Sequence, residues 1–154
     1  MKLQRIHDMN LVDGILNHPL VAPSLTDSED WNVMVDHPSI HYLLVLSDEN
    51  EVLGLYVLIP FNSVTLSVHS AFLPEGYGYG TKKAGELCKE YIFDTLQMQK
   101  LITQVPAYNI HAKGYAQRQG LKMEGTLVKA YSHHDKLYDI YLFGLTREEY
   151  QCQQ

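Results

Sequence analysis

The chain has 154 residues, 45% of them hydrophobic and 19% charged, a composition typical of one globular domain with a substantial core. Its formal net charge is −6 and no run of basic residues occurs, which argues against a nucleic-acid-binding protein. Because there is neither an apolar leader nor a run of about 18 apolar residues, we expect a cytoplasmic protein without a membrane partner. Cys88 and Cys152 lack zinc-ligand spacing, and no metal site is expected.

The first forty residues combine a helical pattern with a long irregular segment. Apolar residues between 5 and 18 recur at helical spacing and predict an amphipathic helix that ends before Pro19. Residues 19–39 are rich in Pro, Ser, Asp and His, which indicates a long loop with a short helix near 29–33. Trp31 in this segment is expected either to anchor the core or to line a substrate pocket.

Three strands follow in succession. They are predicted at 41–46, 52–59 and 64–73. The first two are joined by the turn residues 48–50 and therefore form a hairpin. A second turn at Asn62 leads into the third strand. The sequence thus predicts an antiparallel meander in the middle of the chain.

The third strand runs into a loop with glycine at every second position, Gly76, Gly78 and Gly80, and a helix over 81–97 follows. Glycine lets the backbone approach an anion closely, and the first turn of a helix offers N–H groups and a positive dipole end. This order predicts a phosphate or pyrophosphate site. A strand-to-helix turn that binds no ligand is the alternative.

Two better-known phosphate motifs are not matched by this loop. The dinucleotide fingerprint G-x-G-x-x-G fails because Thr81 occupies the position of its third glycine. The Walker pattern fails because Thr81 and Lys82 follow Gly80 in place of Lys and Ser or Thr. A nucleotide-binding protein of another class is kept as an alternative.

The remaining pattern is strand, helix, hairpin. A short strand at 101–105 should lie beside the third strand through a crossover. Asn109 is expected to cap a helix that runs to Gln119, with Gly120 at its C-terminal end. Two last strands, 121–131 and 137–145, are joined by residues 132–136, whose two histidines, His133 and His134, are expected to face solvent.

This order of elements resembles the GNAT superfamily of acyl-CoA-dependent N-acyltransferases, and short motifs agree with it. The segment 76–80 looks like the end of the family's Q/R-x-x-G-x-G/A loop, which binds the coenzyme A pyrophosphate. Val105-Pro-Ala-Tyr-Asn109, followed by Ala112 and then Gly120-Leu121, is similar to the family's V-x-x-x-N-x-x-A/S … G-F stretch.

The resemblance extends over residues 40–150, and some segments are similar to two narrower groups of proteins. Segments 123–125 and 138–150 look like the last hairpin of the ribosomal-protein N-terminal acetyltransferase branch. The short length, the His-Pro-rich N-terminal segment and the strand end from His69 to Pro74 are similar to small acetyltransferase-like proteins of bacteriophages. We therefore expect a source in a bacterial or phage-infected host cell.

The resemblance implies a fold and a reaction. The expected fold is α/β, more closely an α+β three-layer arrangement with a mixed, mostly antiparallel central sheet and helices on both faces. Residues 1–154 would form a single acyl-CoA-binding domain, with 1–40 as a variable acceptor-side segment and 41–150 as the core. The implied activity is direct transfer of an acetyl group from acetyl-CoA to a primary amine, either a protein N-terminus or a small amine.

The resemblance also implies which residues bind acetyl-CoA. Backbone groups of three strand residues would pair with the pantetheine arm, and loop N–H groups would hold the pyrophosphate. In chain order these residues are Ala71, Phe72, Leu73, Gly76, Tyr77, Gly78, Tyr79, Gly80 and Thr81. Asn109 would contact the coenzyme arm, cap its helix, or do both. Lys82 and Lys83 either add charge near the phosphates or are solvated helix lysines.

His69 is the main candidate for the general base that deprotonates the acceptor amine. On a strand it shares a face with Ser67 and Ala71, and its reference pKa suits proton transfer at neutral pH. A structural, hydrogen-bonded histidine is the alternative. Tyr115 and Ser67 are weaker catalytic candidates.

Two departures from the family pattern favour a second hypothesis. Glu75 stands where the loop usually carries Gln or Arg, and Ala116 stands where many members have a tyrosine general acid. A non-catalytic GNAT-fold binding or assembly protein, for example of a phage particle, is therefore the alternative function. The final hairpin also offers a strand edge through which a homodimer could form.

Overall fold

The computed structural model describes residues 1–26 and 35–154. The strands are β1 (Lys2–Ile6), β2 (His41–Leu46), β3 (Val52–Pro60), β4 (Thr65–Phe72), β5 (Lys100–Pro106), β6 (Lys122–His133) and β7 (Lys136–Thr146). The α-helices are α1 (Met9–Leu16), α2 (Tyr79–Glu90), α3 (Ile110–Arg118) and α4 (Arg147–Cys152). The short helix predicted near 29–33 and Trp31 lie outside the described residues.

The seven strands form one sheet in the order β1-β2-β3-β4-β5-β7-β6. The pairs β1–β2, β2–β3, β5–β7 and β6–β7 are antiparallel, whereas β4 and β5 are parallel. The parallel register runs from Thr65↔Lys100 to Ser67↔Ile102, and both strands continue beyond it, β4 to Phe72 and β5 to Pro106. The prediction of an α/β fold with a mixed, mostly antiparallel sheet is confirmed.

Contacts divide the chain into two compact units. The first comprises residues 1–60 and 68–88, and the second comprises residues 61–67 and 89–154. The core of the first unit forms where α1 places Val12, Ile15 and Leu16 among buried residues of the strands. Each such side chain contributes about 1.5–3 kcal/mol when it is fully buried, so this apolar stripe is what holds the short helix.

The second unit has a core around Phe93 and Phe143, which are both fully buried. The ring of Tyr150 stacks on Phe93 at 4.8 Å, and its hydroxyl donates to Asp94 Oδ2 at 2.9 Å. Burial, and then the neighbouring Asp94 carboxylate, raise the pKa of Tyr150 to about 12. These contacts join α4 to the helical segment that follows α2.

Helix α4 begins with a capping box. The Thr146 hydroxyl accepts from the Glu149 N–H at 3.1 Å, and the Glu149 carboxylate accepts from the Thr146 N–H at 2.9 Å. Lys122 donates to the same carboxylate at 2.8 Å, and this bond, together with the Thr146 N–H, lowers the pKa of Glu149 to about 2. The sequence analysis predicted no helix after the final hairpin, because six residues are too few to show a helical period.

The predicted helix over 5–18 is wrong in its first part. Residues 2–6 form strand β1, which pairs with β2 from Lys2↔Leu46 to Ile6↔Tyr42, and the helix begins only at Met9. Asp8 separates the two elements because its carboxylate accepts from the N–H groups of Asn10 and Leu11 at 3.0 and 3.2 Å. Pairing with a neighbouring strand thus decides the conformation of a segment whose own pattern is ambiguous.

The expectation for His133 is also wrong. His133 ends strand β6 and is half-buried, with its ring stacked on Tyr108 at 4.0 Å and 8°. The hairpin turn is tighter than predicted, because His134 and Asp135 both take the left-handed conformation, with φ of 48° and 60°. His134 is exposed as expected.

Candidate functional site

The loop after β4 is a compact turn that leads directly into α2. Residues Pro74–Gly76 form a 3-10 turn, in which the Gly76 N–H donates to Leu73 O at 2.8 Å and the Tyr77 N–H donates to Pro74 O at 3.2 Å. These two predicted pyrophosphate donors are therefore engaged inside the turn. The first N–H groups of an α-helix have no partner within the helix, so the start of α2 is the better source of anion-binding donors.

Gly76 is required by packing against the neighbouring strand. It is buried, and a Cβ at this position would overlap the carbonyl oxygen of Leu53. The same carbonyl accepts from the Leu73 N–H at 3.0 Å. Gly76 thus lets the turn lie directly on β3.

Gly54 on β3 has a matching role that the sequence interpretation missed. A Cβ there would lie 2.6 Å from Ala71 O and 2.8 Å from Phe72 Cδ1. The rings of Tyr56 and Phe72 meet edge to face at 5.6 Å. An isolated glycine within a strand signals such a close approach, and this signal could have identified Gly54.

Gly78 borders open space, whereas Gly80 lies against the side chain of Met1. Gly78 has φ of +85°, which favours glycine, and a Cβ there would meet nothing within 4 Å. At Gly80 the nearest atom to an added Cβ would be Met1 Cε at 3.5 Å, an ordinary contact. Thr81 closes the turn, because its hydroxyl donates to Gly78 O at 2.8 Å.

The charged residues of this loop lie on the surface. Glu75, Lys82 and Lys83 are exposed, and Lys83 Nζ lies 3.6 Å from the Glu86 carboxylate one turn further along α2. The Lys83 charge is therefore partly balanced within the helix.

A cavity of about 140 Å³ lies beside the same strand, β4. It is lined by Leu16, Leu25, Val57, Ile59, His69, Ser70 and Ala71. All of these residues belong to the first unit. Among the described lining residues, those from α1, β3 and the loop after α1 are aliphatic, and only His69 and Ser70 bring polar groups.

His69 combines solvent access with an apolar environment. The residue is exposed, yet it lines the cavity, and desolvation by the surrounding protein lowers the pKa of its imidazole below 6.5. A neutral imidazole at pH 7 is able to accept a proton, which is what a general base requires. Ala71, on the same face of β4, also lines the cavity.

The other predicted site residues, Asn109, Tyr115 and Ser67, belong to the second unit. Asn109 is the N-cap of α3, where its Oδ1 accepts from the Ala112 N–H at 3.0 Å. Tyr115 lies half-buried on α3, next to Ala116, which is only 4% exposed. Ser67 is half-buried at the last paired position of β4 with β5.

No group of three His, Cys, Asp or Glu residues able to hold a metal ion occurs within residues 1–26 and 35–154. Among the helices in these ranges, none has the length and apolar character needed to cross a membrane.

Comparison with solved structures defines the class of this fold. A spermidine N-acetyltransferase from Vibrio cholerae, in complex with CoA and spermine, aligns with a TM-score of 0.85 and 16% identity over 97% of both chains. A chimera of the Vibrio cholerae enzyme SpeG and hSSAT aligns at 0.81 and 18% identity, covering 98% of this chain and 99% of the other. A dodecameric structure of the Vibrio cholerae enzyme aligns at 0.81 and 17% identity, covering 99% and 97%. The chain therefore has the GNAT fold.

Comparison of the sequence with family profiles identifies the family of this chain. A family profile described as "Protein of unknown function (DUF2824)" matches residues 1–153, and the chain belongs to this family. A search of curated proteins finds no match.

Proposed function

We propose that this protein is an acetyl-CoA-dependent N-acetyltransferase that acts on a primary amine. One observation supports this most strongly: β4 leads at one end into the glycine loop and the start of α2, and the same strand places His69 beside a ligand-sized cavity. The Vibrio cholerae protein with the same fold is a spermidine N-acetyltransferase and binds CoA and spermine. The whole chain would act as one acyl-CoA-binding domain.

The loop geometry fits an anionic group at the start of α2. Open space borders Gly78, so its backbone is accessible at close range, and the helix dipole adds positive potential at the start of α2. In our proposal Tyr79 and Gly80 contribute backbone N–H groups at this helix start, because the Thr81 N–H already donates to Gly78 O at 3.2 Å. Ala71 and Phe72 offer backbone partners to the pantetheine arm, because the Leu73 N–H already donates to Leu53 O at 3.0 Å. Bound acetyl-CoA supplies the thioester whose acetyl group is transferred.

His69 acts as the base in this proposal. The acceptor nitrogen attacks the thioester carbonyl, and the C–N bond forms as the C–S bond breaks. Coenzyme A leaves as the thiolate, and the proton of the amine passes to the neutral imidazole. Its lowered pKa keeps the ring unprotonated at pH 7, so it is ready to accept that proton. Tyr115 and Ser67 are secondary candidates for proton transfer, and Asn109 for coenzyme contact beside its capping role.

A test of this proposal measures thiol release from acetyl-CoA in the presence of a panel of primary amines. We expect amine-dependent release, and we expect His69→Gln to lower kcat by about 10²–10⁴-fold while acetyl-CoA affinity is kept. His134→Gln, in an exposed hairpin turn, is the matched control and should retain full activity. No release with any amine would refute the proposal.

Glu75 supports a second candidate, a binding protein that has lost catalysis. The exposed Glu75 carboxylate next to the loop would repel the negatively charged pyrophosphate. Ala116 has no side-chain group that could act as a general acid. Replacing Glu75 by Arg distinguishes the two functions. A rise of tenfold or more in acetyl-CoA affinity, without any gain in turnover, would indicate a site that has decayed.

A further inference from the structure

The chemistry of the cavity beside His69 constrains the acceptor. Its aliphatic side chains come from three parts of the chain. Leu16 is the last residue of α1, Leu25 lies in the loop after α1, and Val57 and Ile59 lie on β3. None of the described residues that line it carries a carboxylate. Among these described residues, a second ammonium group would lose its hydration without gaining a counter-charge, which is strongly unfavourable.

The size of the cavity matches one side chain. An apolar cavity of about 150 Å³ is able to hold a benzene molecule. The cavity described here, at about 140 Å³, is therefore large enough for a branched aliphatic group or a phenyl ring. It is too small for a long polyamine chain to coil within it.

We infer that the acceptor is a primary amine that carries an apolar group of leucine or phenyl size near its amine carbon. The inference rests on the proposed function. The apolar group would occupy the cavity while the nitrogen stays beside His69, at the open side where solvent reaches the ring. Such an amine occurs either as a free molecule or as the N-terminal residue of a peptide, and both share this chemistry.

The decisive experiment compares kcat/KM for glycinamide, leucinamide and spermidine with acetyl-CoA. Burial of a leucine-sized group should raise kcat/KM for leucinamide over glycinamide by roughly tenfold to a hundredfold. Spermidine should be the poorest of the three. A tripeptide amide that begins with Leu is the second arm, and its kcat/KM relative to leucinamide shows whether the source is a peptide or a free amine.

Two substitutions of Leu25 test whether the preference for leucinamide depends on this cavity. Leu25→Trp fills it and should remove the advantage of leucinamide over glycinamide. Leu25→Glu adds a carboxylate and should raise the spermidine rate relative to leucinamide. Leu20→Trp and Leu20→Glu are matched controls, since Leu20 is 65% exposed and does not line the cavity. Thermal unfolding of each variant verifies that it folds.

The outcomes distinguish a failure of the acceptor assignment from a failure of the proposed acetyltransferase function. Turnover that prefers spermidine, or that ignores the side chain of the amide, overturns the acceptor assignment but leaves an acetyltransferase. No turnover with any of the four amines in the unmodified chain refutes the proposed function, and with it the acceptor. A leucinamide preference that persists in Leu25→Trp shows that the apolar group binds elsewhere and also overturns the assignment.

Discussion

Alanine substitutions at the three loop glycines should have three different effects, because each glycine has a different reason for being there. At Gly76 an added methyl group would overlap the backbone of Leu53. At Gly78 it would meet no atom within 4 Å but would have to adopt φ of +85°. At Gly80, in the first turn of α2, it would be in ordinary contact with Met1.

The expected magnitudes follow from these environments. Overpacking against rigid backbone should cost Gly76→Ala about 3 kcal/mol of unfolding free energy. The left-handed conformation should cost Gly78→Ala about 1–2 kcal/mol. Gly80→Ala should gain about 0.5–1 kcal/mol, since alanine replaces glycine within a helix.

Urea unfolding followed by circular dichroism measures the three values, and calorimetry with acetyl-CoA is run on the variants that fold. We expect Gly80→Ala to be more stable than the natural chain yet to bind acetyl-CoA more weakly, because its methyl group adds bulk beside the backbone N–H groups that we propose for the pyrophosphate. If Gly76→Ala were no less stable than Gly78→Ala, the packing argument for Gly76 would fail. If Gly80→Ala bound acetyl-CoA unchanged, the proposed location of the pyrophosphate would fail.

Three further predictions address pH, packing and assembly. Desolvation lowers the pKa of His69 and of His41, so the unfolded chain binds more protons than the folded chain below pH 6.5. The unfolding free energy should therefore fall as pH drops below 6.5. If the unfolding free energy of a His69→Gln variant fell equally steeply with pH, the contribution of His69 would be contradicted. Tyr150→Phe should cost about 1 kcal/mol in urea unfolding by removing the bond to Asp94, and no loss would show that the bond is dispensable. If the β6 edge pairs with a second copy, Val128→Lys (the native residue is 73% exposed) should shift light-scattering mass toward the monomer, and an unchanged mass would rule out this edge.

The central part of the fold was predictable because its signals are local. The meander 41–73 combines apolar strands with polar turns, and Asn109 caps α3 as its sequence position indicates. The two predicted strands of the final hairpin are present, with a tight turn at 134–135. In each case side-chain chemistry and backbone preference favour the same structure.

The N-terminal strand and the last helix were missed because their signals are not local. β1 has five residues and gains its conformation by pairing with β2, far along the chain. α4 depends on a capping box and on the burial of Tyr150 against Phe93. Neither partnership can be read from a short window of sequence.

The candidate site was predictable in its positions but not in its environment. Glycine spacing pointed to the loop, yet only the structure distinguishes Gly76, held by packing, from Gly78, which borders open space, and Gly80, which lies against Met1. Strand alternation pointed to His69, but the cavity beside it is built from α1 and β3, which come from other parts of the chain. The assignment of His69, Tyr115 and Ser67 to catalysis stays a prediction.

Titration calorimetry of the protein with acetyl-CoA, and with coenzyme A lacking the acetyl group, tests the central claim most directly. We predict saturable binding of both in the micromolar range, with affinity that falls in Gly80→Ala and is unchanged in His134→Gln. An absence of binding at millimolar ligand concentrations would contradict the assignment of the loop and of the start of α2 to the coenzyme.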